Sequence, residues 1–238
     1  MTTLLRVENV TKRFGGITAN ENISFELQAG TIVGLIGPNG AGKTTMFNCI
    51  AGSANPTSGS IWLGDKNITS FEPEQCARAG IARTFQIART FTSMTAIENV
   101  MVGTFLSSRS VSSARVEAMK LLALVNLDQF AEKAASSMTI SEQRRLAVAR
   151  AMAIRPRVLL MDEVMAGLNP SEVKEMVTAV LKIREQGVSC LIVEHVLEGI
   201  MPIADNIVVL DYGKKIADAS PAQVSNDPVV IAAYLGDE

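Results

Sequence analysis

A glycine-rich loop is the first stretch of the sequence whose residue types point to a specific chemistry. Residues 37–45 read GPNGAGKTT, which fits the phosphate-loop pattern G-x-x-x-x-G-K-[ST]. Its glycines let successive backbone N–H groups point at phosphate oxygens, and the helix that follows adds its positive dipole end. Lys43 is expected to reach the outer phosphates, and the Thr44 hydroxyl to ligate Mg²⁺. The residues expected to contact a nucleotide are Asn39, Gly40, Ala41, Gly42, Lys43, Thr44 and Thr45.

Two alternatives to a phosphate loop are weaker. A dinucleotide-binding loop requires the spacing G-x-G-x-x-G, which is absent here. A strand–helix turn without a ligand would not need the lysine and hydroxyl that follow the last glycine. The strand before the loop and the helix after it supply the context that the motif requires.

Two acidic residues and one histidine follow apolar segments further along the chain. Residues 158–163 read VLLMDE, so an apolar strand ends in Asp162 and Glu163. Acids are common at sheet ends, but beside a phosphate loop we expect Asp162 to hold Mg²⁺ and Glu163 to polarise an attacking water. His195 follows the apolar segment 188–193, at the edge where open α/β sheets bind ligands. It is the only histidine, which excludes a multi-histidine metal site.

The elements that must position these residues alternate between strands and helices. The short apolar segments 31–36, 157–161 and 188–193 are typical of buried parallel strands. Alternating polar and apolar residues near the start predict antiparallel strands, and segment 96–153 has a mostly helical pattern. The sequence therefore predicts an α/β fold whose parallel core is interrupted by helices.

Composition limits the class of protein. The chain has 238 residues with 22 Lys and Arg against 24 Asp and Glu, a net charge of −2 that argues against nucleic-acid binding by bulk positive charge. A 47% apolar and 19% charged composition argues against disorder. We expect no membrane-spanning segment, since no apolar run approaches about 18 residues, and no signal peptide. Three well-separated cysteines are typical of reduced thiols in a cytoplasmic protein.

With these motifs in this order, the sequence resembles the ATP-binding-cassette (ABC) family from Phe14 to the C-terminus. The resemblance implies a P-loop NTPase core with an antiparallel β subdomain, formed by residues 1–86 and 157–238. It also implies an inserted helical subdomain, residues 87–156. The family's core fold agrees with the strand and helix pattern predicted above.

The resemblance also assigns roles to single residues. It implies that Phe14 stacks on adenine, although a core aromatic is the alternative at this position. It implies that Gln86 meets Mg²⁺ and the γ-phosphate and faces a membrane partner, with a surface amide as the alternative. Lys43, Glu163, His195 and Gln86 are the implied catalytic residues, with ATP and Mg²⁺ as cofactors. Residues 166–169 match the loop that crosses to a second ATPase subunit.

Four short segments are similar to the ATPases of bacterial branched-chain amino-acid and amide or urea importers. They read GIARTFQ, AGLNP, VEH and AYLG, and begin at residues 80, 166, 193 and 233. This resemblance implies a subunit peripheral to the cytoplasmic face of a membrane. ATP closes two such subunits head to tail and drives two membrane permease subunits, which receive substrate from a periplasmic or extracellular binding protein. Nucleic acid is not an expected partner.

The family's signature sequence is altered in this chain. The usual LSGGQ is replaced by MTISE at residues 138–142. Thr139 keeps a hydroxyl and Ser141 replaces a glycine, and both are expected to contact nucleotide. Glu142 replaces a neutral glutamine, and its charge at about 10 Å and an effective dielectric of about 20 would cost about 1.7 kcal/mol per phosphate charge. Pairing with Arg144 or Arg145 would neutralise it.

The altered signature bears on how the chain assembles. In the family, the signature of one subunit completes the site of the other, so a weak signature damages the partner's site. The sequence therefore favours a heterodimer with one competent site, and a homodimer is the alternative.

Two other functions remain open from the sequence. A soluble ABC ATPase acting on nucleic acid or ribosomes usually has a tandem cassette or a long insertion, neither of which is present. A nucleotide-binding regulatory subunit would explain the altered signature, but the intact Asp162, Glu163 and His195 speak against it.

Overall fold

The computed structural model describes residues 2–84 and 90–235. Gln86 therefore lies outside the described residues. The strands are β1 Thr3–Phe14, β2 Ile17–Gln28, β3 Ile32–Ile36, β4 Ser58–Leu63, β5 Lys66–Asn67, β6 Ile81–Arg83, β7 Val158–Asp162, β8 Ser189–Val193, β9 Asn206–Asp211 and β10 Lys214–Ala219. The α-helices are α1 Lys43–Ile50, α2 Pro73–Ala79, α3 Ala96–Thr104, α4 Val111–Leu124, α5 Ile140–Met152, α6 Pro170–Glu185, α7 Leu197–Ile200, α8 Pro221–Val224 and α9 Pro228–Leu235.

The central sheet carries the residues predicted to do chemistry. Its order is β10-β9-β3-β8-β7-β6, with parallel pairing throughout except for the antiparallel β10. Strands β3, β7 and β8 are buried along their whole length, which is the reason for their continuous apolar sequences. Asp162 pairs in register with Val193, so β7 and β8 end side by side. Glu163 and His195 therefore leave the sheet at neighbouring points of the same edge.

A second, antiparallel sheet covers one face of the central sheet. Its order is β2-β1-β4-β5, and α1 lies between the two sheets, with Met46, Phe47 and Ile50 fully buried in their shared core. This confirms the antiparallel part predicted near the start of the chain. The alternation predicts strands over 4–10 and 23–27, and the observed strands are longer. The apolar alternation of β1 ends at Val10, while its pairing with β2 continues to Phe14 through irregular register shifts.

The other face of the central sheet packs against helices. One continuous apolar core runs from Ile192 and Met161 in the sheet to Val100, Leu122 and Leu146 in helices α3, α4 and α5. Each of these three helices begins with a capping box, in which the N-cap hydroxyl and the side chain three residues later satisfy each other's backbone N–H groups. The predicted helical segment is therefore present as three helices with a shared core.

Four short elements were not predicted, namely β5, β6, α2 and α8. β6 has three residues and α2 has seven, and neither is long enough to show a period of its own. β6 extends the parallel sheet beyond β7. The position of β6 depends on pairing with a strand more than seventy residues away, and no local sequence pattern predicts that pairing.

The three cysteines are free and buried. Burial raises the pKa of Cys49 to about 11 and that of Cys190 to about 12, so both remain thiols at neutral pH. Within residues 2–84 and 90–235, no helix has the length and apolar character needed to cross a bilayer.

Candidate functional site

The phosphate loop lies between the end of β3 and the start of α1. Gly42 is the N-cap of α1 with φ at 97°, and a Cβ there would lie 2.4 Å from the carbonyl oxygen of Ala19. Only glycine fits this position. No side chain caps α1 and its first turn contains no acid, so its N–H groups are left for an anion.

Lys43 is held by its own loop. The side chain is 6% exposed, and its Nζ donates to the carbonyl oxygens of Gly37 at 2.7 Å and Pro38 at 2.8 Å. Burial lowers the pKa of Lys43, while the nearby Glu163 and Asp162 oppose that shift. The ammonium is thus kept in the loop by backbone oxygens, which phosphate oxygens can replace.

Contacts behind the phosphate loop were not predicted from the sequence. The fully buried Asn20 of β2 donates through Nδ2 to the carbonyl oxygen of Gly42 at 3.2 Å. The N–H of Gly213, in the turn between β9 and β10, donates to the carbonyl oxygen of Ala41 at 3.2 Å. The carbonyl oxygen of Gly213 accepts from the N–H of Glu21 at 2.7 Å. The turn therefore joins the antiparallel sheet to the phosphate loop.

Glu163 and His195 meet at the mouth of the loop. Glu163 Oε1 and His195 Nε2 are 2.9 Å apart. Glu163 has a left-handed backbone with φ at 51°, and its N–H donates to the carbonyl oxygen of Val193 at 2.9 Å. Both side chains line a cavity of about 220 Å³ together with Ala19 and seven loop residues. The loop residues are Asn39, Gly40, Ala41, Gly42, Lys43, Thr44 and Thr45.

Asp162 has a partner that was not predicted from the sequence. It is 4% exposed, and its Oδ2 accepts from Arg83 at 2.8 Å. Arg83 also donates to Asn48 Oδ1 at 2.6 Å. The carboxylate is therefore held beside the phosphate loop by a cation from β6. A charged residue at the end of a three-residue strand gave no sequence signal for this pairing.

The donor set near the loop fits Mg²⁺. The Thr44 hydroxyl and the Asp162 carboxylate are oxygen donors, the ligand type that this ion prefers. Across the described ranges, no group of three or more His, Cys, Asp or Glu side chains could hold a metal by itself. Most of the ligands would therefore come from nucleotide phosphates and water, as is usual for Mg²⁺ in proteins that act on nucleotides.

Phe14 lies at the end of β1, apart from the residues that line the 220 Å³ cavity. The side chain is 51% exposed, so Phe14 is not a core aromatic. The Nζ of Lys12 lies 4.8 Å from the centroid of its ring. An exposed ring beside a cation is able to stack on a planar base.

The signature segment forms the start of α5. Thr139 is the N-cap; its Oγ1 accepts from the N–H of Glu142 at 3.2 Å, and Glu142 Oε2 accepts from the N–H of Thr139 at 2.8 Å. The same Oε2 accepts from Lys133 Nζ at 2.7 Å. Burial opposes ionisation, but the hydrogen bonds from Lys133 and Thr139 outweigh it and lower the pKa of Glu142. The carboxylate is thus ionised and neutralised by Lys133.

The expected pairing of Glu142 with Arg144 or Arg145 was wrong. Arg144 donates instead to the carbonyl oxygen of Ala166. Arg145 forms an ion pair with Glu175 at 2.9 Å and acts on Glu142 only through its charge. Both arginines point toward backbone or acids on other elements, while Lys133, nine residues before Glu142, is close enough to reach it.

Thr139 and Ser141 do not reach the phosphate loop of their own chain, because neither lines the 220 Å³ cavity. Ser141 is 3% exposed, and its Oγ has no hydrogen-bond partner within the described part of the chain. The two groups of predicted nucleotide-binding residues are therefore separate surfaces of this chain.

Two family models match the sequence. A model described as ABC transporter matches residues 20–166, more than half of the chain. A model described as branched-chain amino acid ATP-binding cassette transporter matches residues 214–238.

Curated relatives match over almost the whole length. The chain is 40% identical to the high-affinity branched-chain amino acid transport ATP-binding protein BraF of Pseudomonas aeruginosa, over 98% of each chain. It is 41% identical to the corresponding protein LivG of Escherichia coli K12, again over 98% of each chain. It is also 32% identical to the lipopolysaccharide export system ATP-binding protein LptB of Acidithiobacillus ferridurans, over 100% of this chain and 99% of that one.

Solved structures match the fold. A crystal structure of the ADP conformation of an ATP-binding cassette of an ABC transporter superposes with a TM-score of 0.90 at 28% identity, covering 100% of both chains. A dimeric post-hydrolysis cassette bound to ADP and inorganic phosphate superposes with a TM-score of 0.83 at 25% identity, covering 92% of this chain and 99% of that one.

Proposed function

The chain belongs to the ABC transporter family as an ATP-hydrolysing cassette, and from that premise we propose that it powers an importer of branched-chain amino acids or related small amides. The match of the C-terminal residues 214–238 to a branched-chain amino acid transporter model supports this substrate class. The observation that carries the catalytic proposal is the shared cavity. It brings the phosphate loop within reach of Glu163 and His195.

We propose in-line attack of water on the γ-phosphate of ATP. Glu163 accepts the proton of the attacking water, the bond between the γ-phosphorus and the β–γ bridging oxygen breaks, and ADP and inorganic phosphate are released. His195, whose Nε2 is 2.9 Å from Glu163 Oε1, contacts the γ-phosphate. Lys43 leaves its two carbonyl partners for phosphate oxygens, where its charge stabilises the transition state. Phe14 stacks on the adenine.

We further propose that Thr44, Asp162 and Gln86 hold Mg²⁺ with the bound nucleotide. When bound, the ion neutralises charge on the β- and γ-phosphates. Arg83 keeps the Asp162 carboxylate oriented through the 2.8 Å contact with Oδ2.

The proposed assembly is a head-to-tail pair of ATPase subunits. The likeness to a dimeric cassette supports this arrangement. In it, the start of α5, where Thr139 and Ser141 lie, faces the nucleotide held by the partner, which accounts for its separation from the phosphate loop of its own chain. Lys133 neutralises Glu142, so the charge of Glu142 is no longer a reason to expect a weak signature. The proposed heterodimer therefore rests on Ser141, which places a side chain where the family has glycine.

We propose that the helical subdomain, residues 87–156, passes the motion to two membrane permease subunits. A cavity of about 240 Å³ lies between the subdomain and the core, lined by Thr84, Phe91 and Arg150 among others. Its lining includes residues on both sides of Gln86 in the sequence. The chain would then lie on the cytoplasmic face of the membrane, and a binding protein would deliver substrate on the other side.

The first experiment measures ATP hydrolysis by the purified chain with and without Glu163→Gln. We expect Mg²⁺-dependent hydrolysis that falls at least about a hundredfold in the variant, while ATP binding is retained, because only the base is lost. Hydrolysis that survives the substitution would refute the assigned role of Glu163. If the folded wild-type chain binds ATP but does not hydrolyse it, a different partner supplies the competent signature.

The substrate class needs a transport measurement. The chain is combined with its permease subunits and binding protein in vesicles, and uptake of labelled leucine is compared with uptake of urea. Leucine uptake that requires ATP and is lost with Glu163→Gln would support the proposal. Uptake of neither compound would overturn the proposed substrate class.

A further inference from the structure

A buried glutamate immediately precedes His195. Glu194 directly follows β8 and is completely buried. Its Oε1 accepts a hydrogen bond from the backbone N–H of Met165 at 2.7 Å. Met165 belongs to the turn after β7 and follows Glu163 by two positions. One side-chain contact thus ties the turn that carries Glu163 to the turn that carries His195.

Glu194 lies in surroundings that disfavour a free charge. Burial raises its pKa to about 7, although the backbone N–H groups of Met165, Val196 and His195 act in the opposite direction. The charge of Glu163 adds to the rise. Its Oε2 makes no hydrogen bond within the described residues. A buried acid in this position costs stability, so packing alone does not account for it.

Glu163 needs external support. Its left-handed backbone is costly for a residue with a side chain, and such conformations persist only where surrounding contacts fix them. On one side, the N–H of Glu163 donates to Val193 at 2.9 Å. On the other, the N–H of Met165 donates to Glu194. These two hydrogen bonds enclose the short segment that begins with Glu163.

We propose that Glu194 is a positioning residue that fixes Glu163 and His195 relative to each other. The inference rests on the catalytic roles proposed above. Because displacement of a reacting group by about 1 Å can cost about a hundredfold in rate, losing one of the two supporting contacts should reduce turnover. Nucleotide affinity should not change, because the phosphate loop is held by separate contacts from β2 and the β9–β10 turn.

The test compares three variants of the full chain. Glu194→Ala removes the acceptor, Glu194→Gln keeps an acceptor oxygen in the same shape, and Cys190→Ala shortens another buried side chain of β8 as a control for lost stability. We expect Glu194→Ala to lower kcat by about tenfold or more with the KM for ATP unchanged. For Glu194→Gln and Cys190→Ala, kcat should stay within about twofold of the wild-type value, because each substitution disturbs the structure less.

A second readout does not depend on turnover. His195 is the only histidine of the chain, so histidine labelled at Cε1 alone gives one NMR signal that needs no assignment once any affinity tag is removed. We expect Glu194→Ala to move this signal. Cys190→Ala should leave it in place.

Unchanged kcat and an unchanged histidine signal in Glu194→Ala, beside an inactive Glu163→Gln, would overturn the inference and leave the proposed function intact. Equal loss of kcat in Cys190→Ala would also overturn it, since the effect would then be general destabilisation. If Glu163→Gln remains active, the proposed catalytic role fails. The histidine signal would then still decide whether Glu194 positions His195.

Discussion

The N-termini of α1 and α5 are the two helix starts at which we propose that phosphate binds, and they differ in what occupies their backbone N–H groups. α1 begins at Gly42 with no side-chain cap and no acid in its first turn. α5 begins at Thr139 with a complete capping box, so the N–H of Glu142 is already bonded to Thr139. An acid also lies in the first turn of α5.

The difference shows two ways of building an anion site. At α1 no side chain caps the backbone N–H groups, and Lys43 lies beside them. This arrangement should bind an anion strongly, while the uncapped N–H groups lower the stability of the folded chain. At α5 the helix start is stabilised by its own side chains, and the site keeps only the N–H groups that the box does not use. Lys133 then compensates for the acid that the box introduces. We therefore expect α1 to dominate ATP affinity and α5 to tune closure.

The largest expected effect comes from Lys43→Met. ATP affinity should fall by about a hundredfold, because a charge-assisted contact to the outer phosphates is lost. The midpoint of thermal unfolding should not fall, because burial already lowers the pKa of this lysine and methionine removes the buried charge. Isothermal titration with ATP and thermal unfolding measure both. A lower midpoint would show that Lys43 also supports the folded loop.

Lys133→Met should have the next largest effect, confined to α5. It leaves the Glu142 charge uncompensated at the helix start, and hydrolysis by the assembled dimer should fall by about tenfold. ATP affinity of the single chain should be unchanged, since α1 is intact. The double variant Lys133→Met with Glu142→Gln should recover most of the activity. Failure of this rescue would mean that the ion pair does not govern the signature site.

The smallest effect concerns stability at acid pH. Because the pKa of Glu142 is lowered on folding, its contribution to the free energy of unfolding is present above its ordinary value of 4.5 and is lost as the pH falls through the lowered value. Glu142→Gln should therefore be less stable than wild type near pH 6, by less than about 1 kcal/mol, and the difference should shrink as the pH falls below 4.5. Urea unfolding over a series of pH values measures the difference. If the difference in the free energy of unfolding does not change with pH, the stabilisation comes from the capping box rather than from the charge of Glu142.

The gathering of the candidate catalytic residues at one edge of the sheet could largely be predicted from the sequence, because its signals are local. The loop at 37–45, the acids after β7 and the histidine after β8 each follow a buried strand, and parallel strands bring their carboxyl ends to one edge. The fold class followed from the same strand and helix periods. The assigned roles of these residues remain predictions.

The contacts that hold the catalytic side chains could not be predicted in this way. Arg83 and Asp162 are 79 positions apart, and Glu194 and Met165 are 29 apart. Which of several arginines and acids meet depends on strand order and register, which the periodicity of each strand does not specify. Lys133 and Glu142 are nearer in sequence, but a 3₁₀ turn at Ala135–Ser137 lies between them, so helical spacing does not apply.

The turn between β9 and β10 has a consequence for protein engineering. Tyr212 at its tip is 89% exposed, which makes the turn look suitable for an inserted peptide or reporter domain. Yet the neighbouring Gly213 is hydrogen-bonded to Ala41 in the phosphate loop and to Glu21 in β2. An insertion there would separate three parts of the chain that together shape the ATP site. Surface accessibility is therefore a poor guide to whether this turn tolerates an insertion, because its backbone N–H and C=O groups make the contacts that hold the phosphate loop.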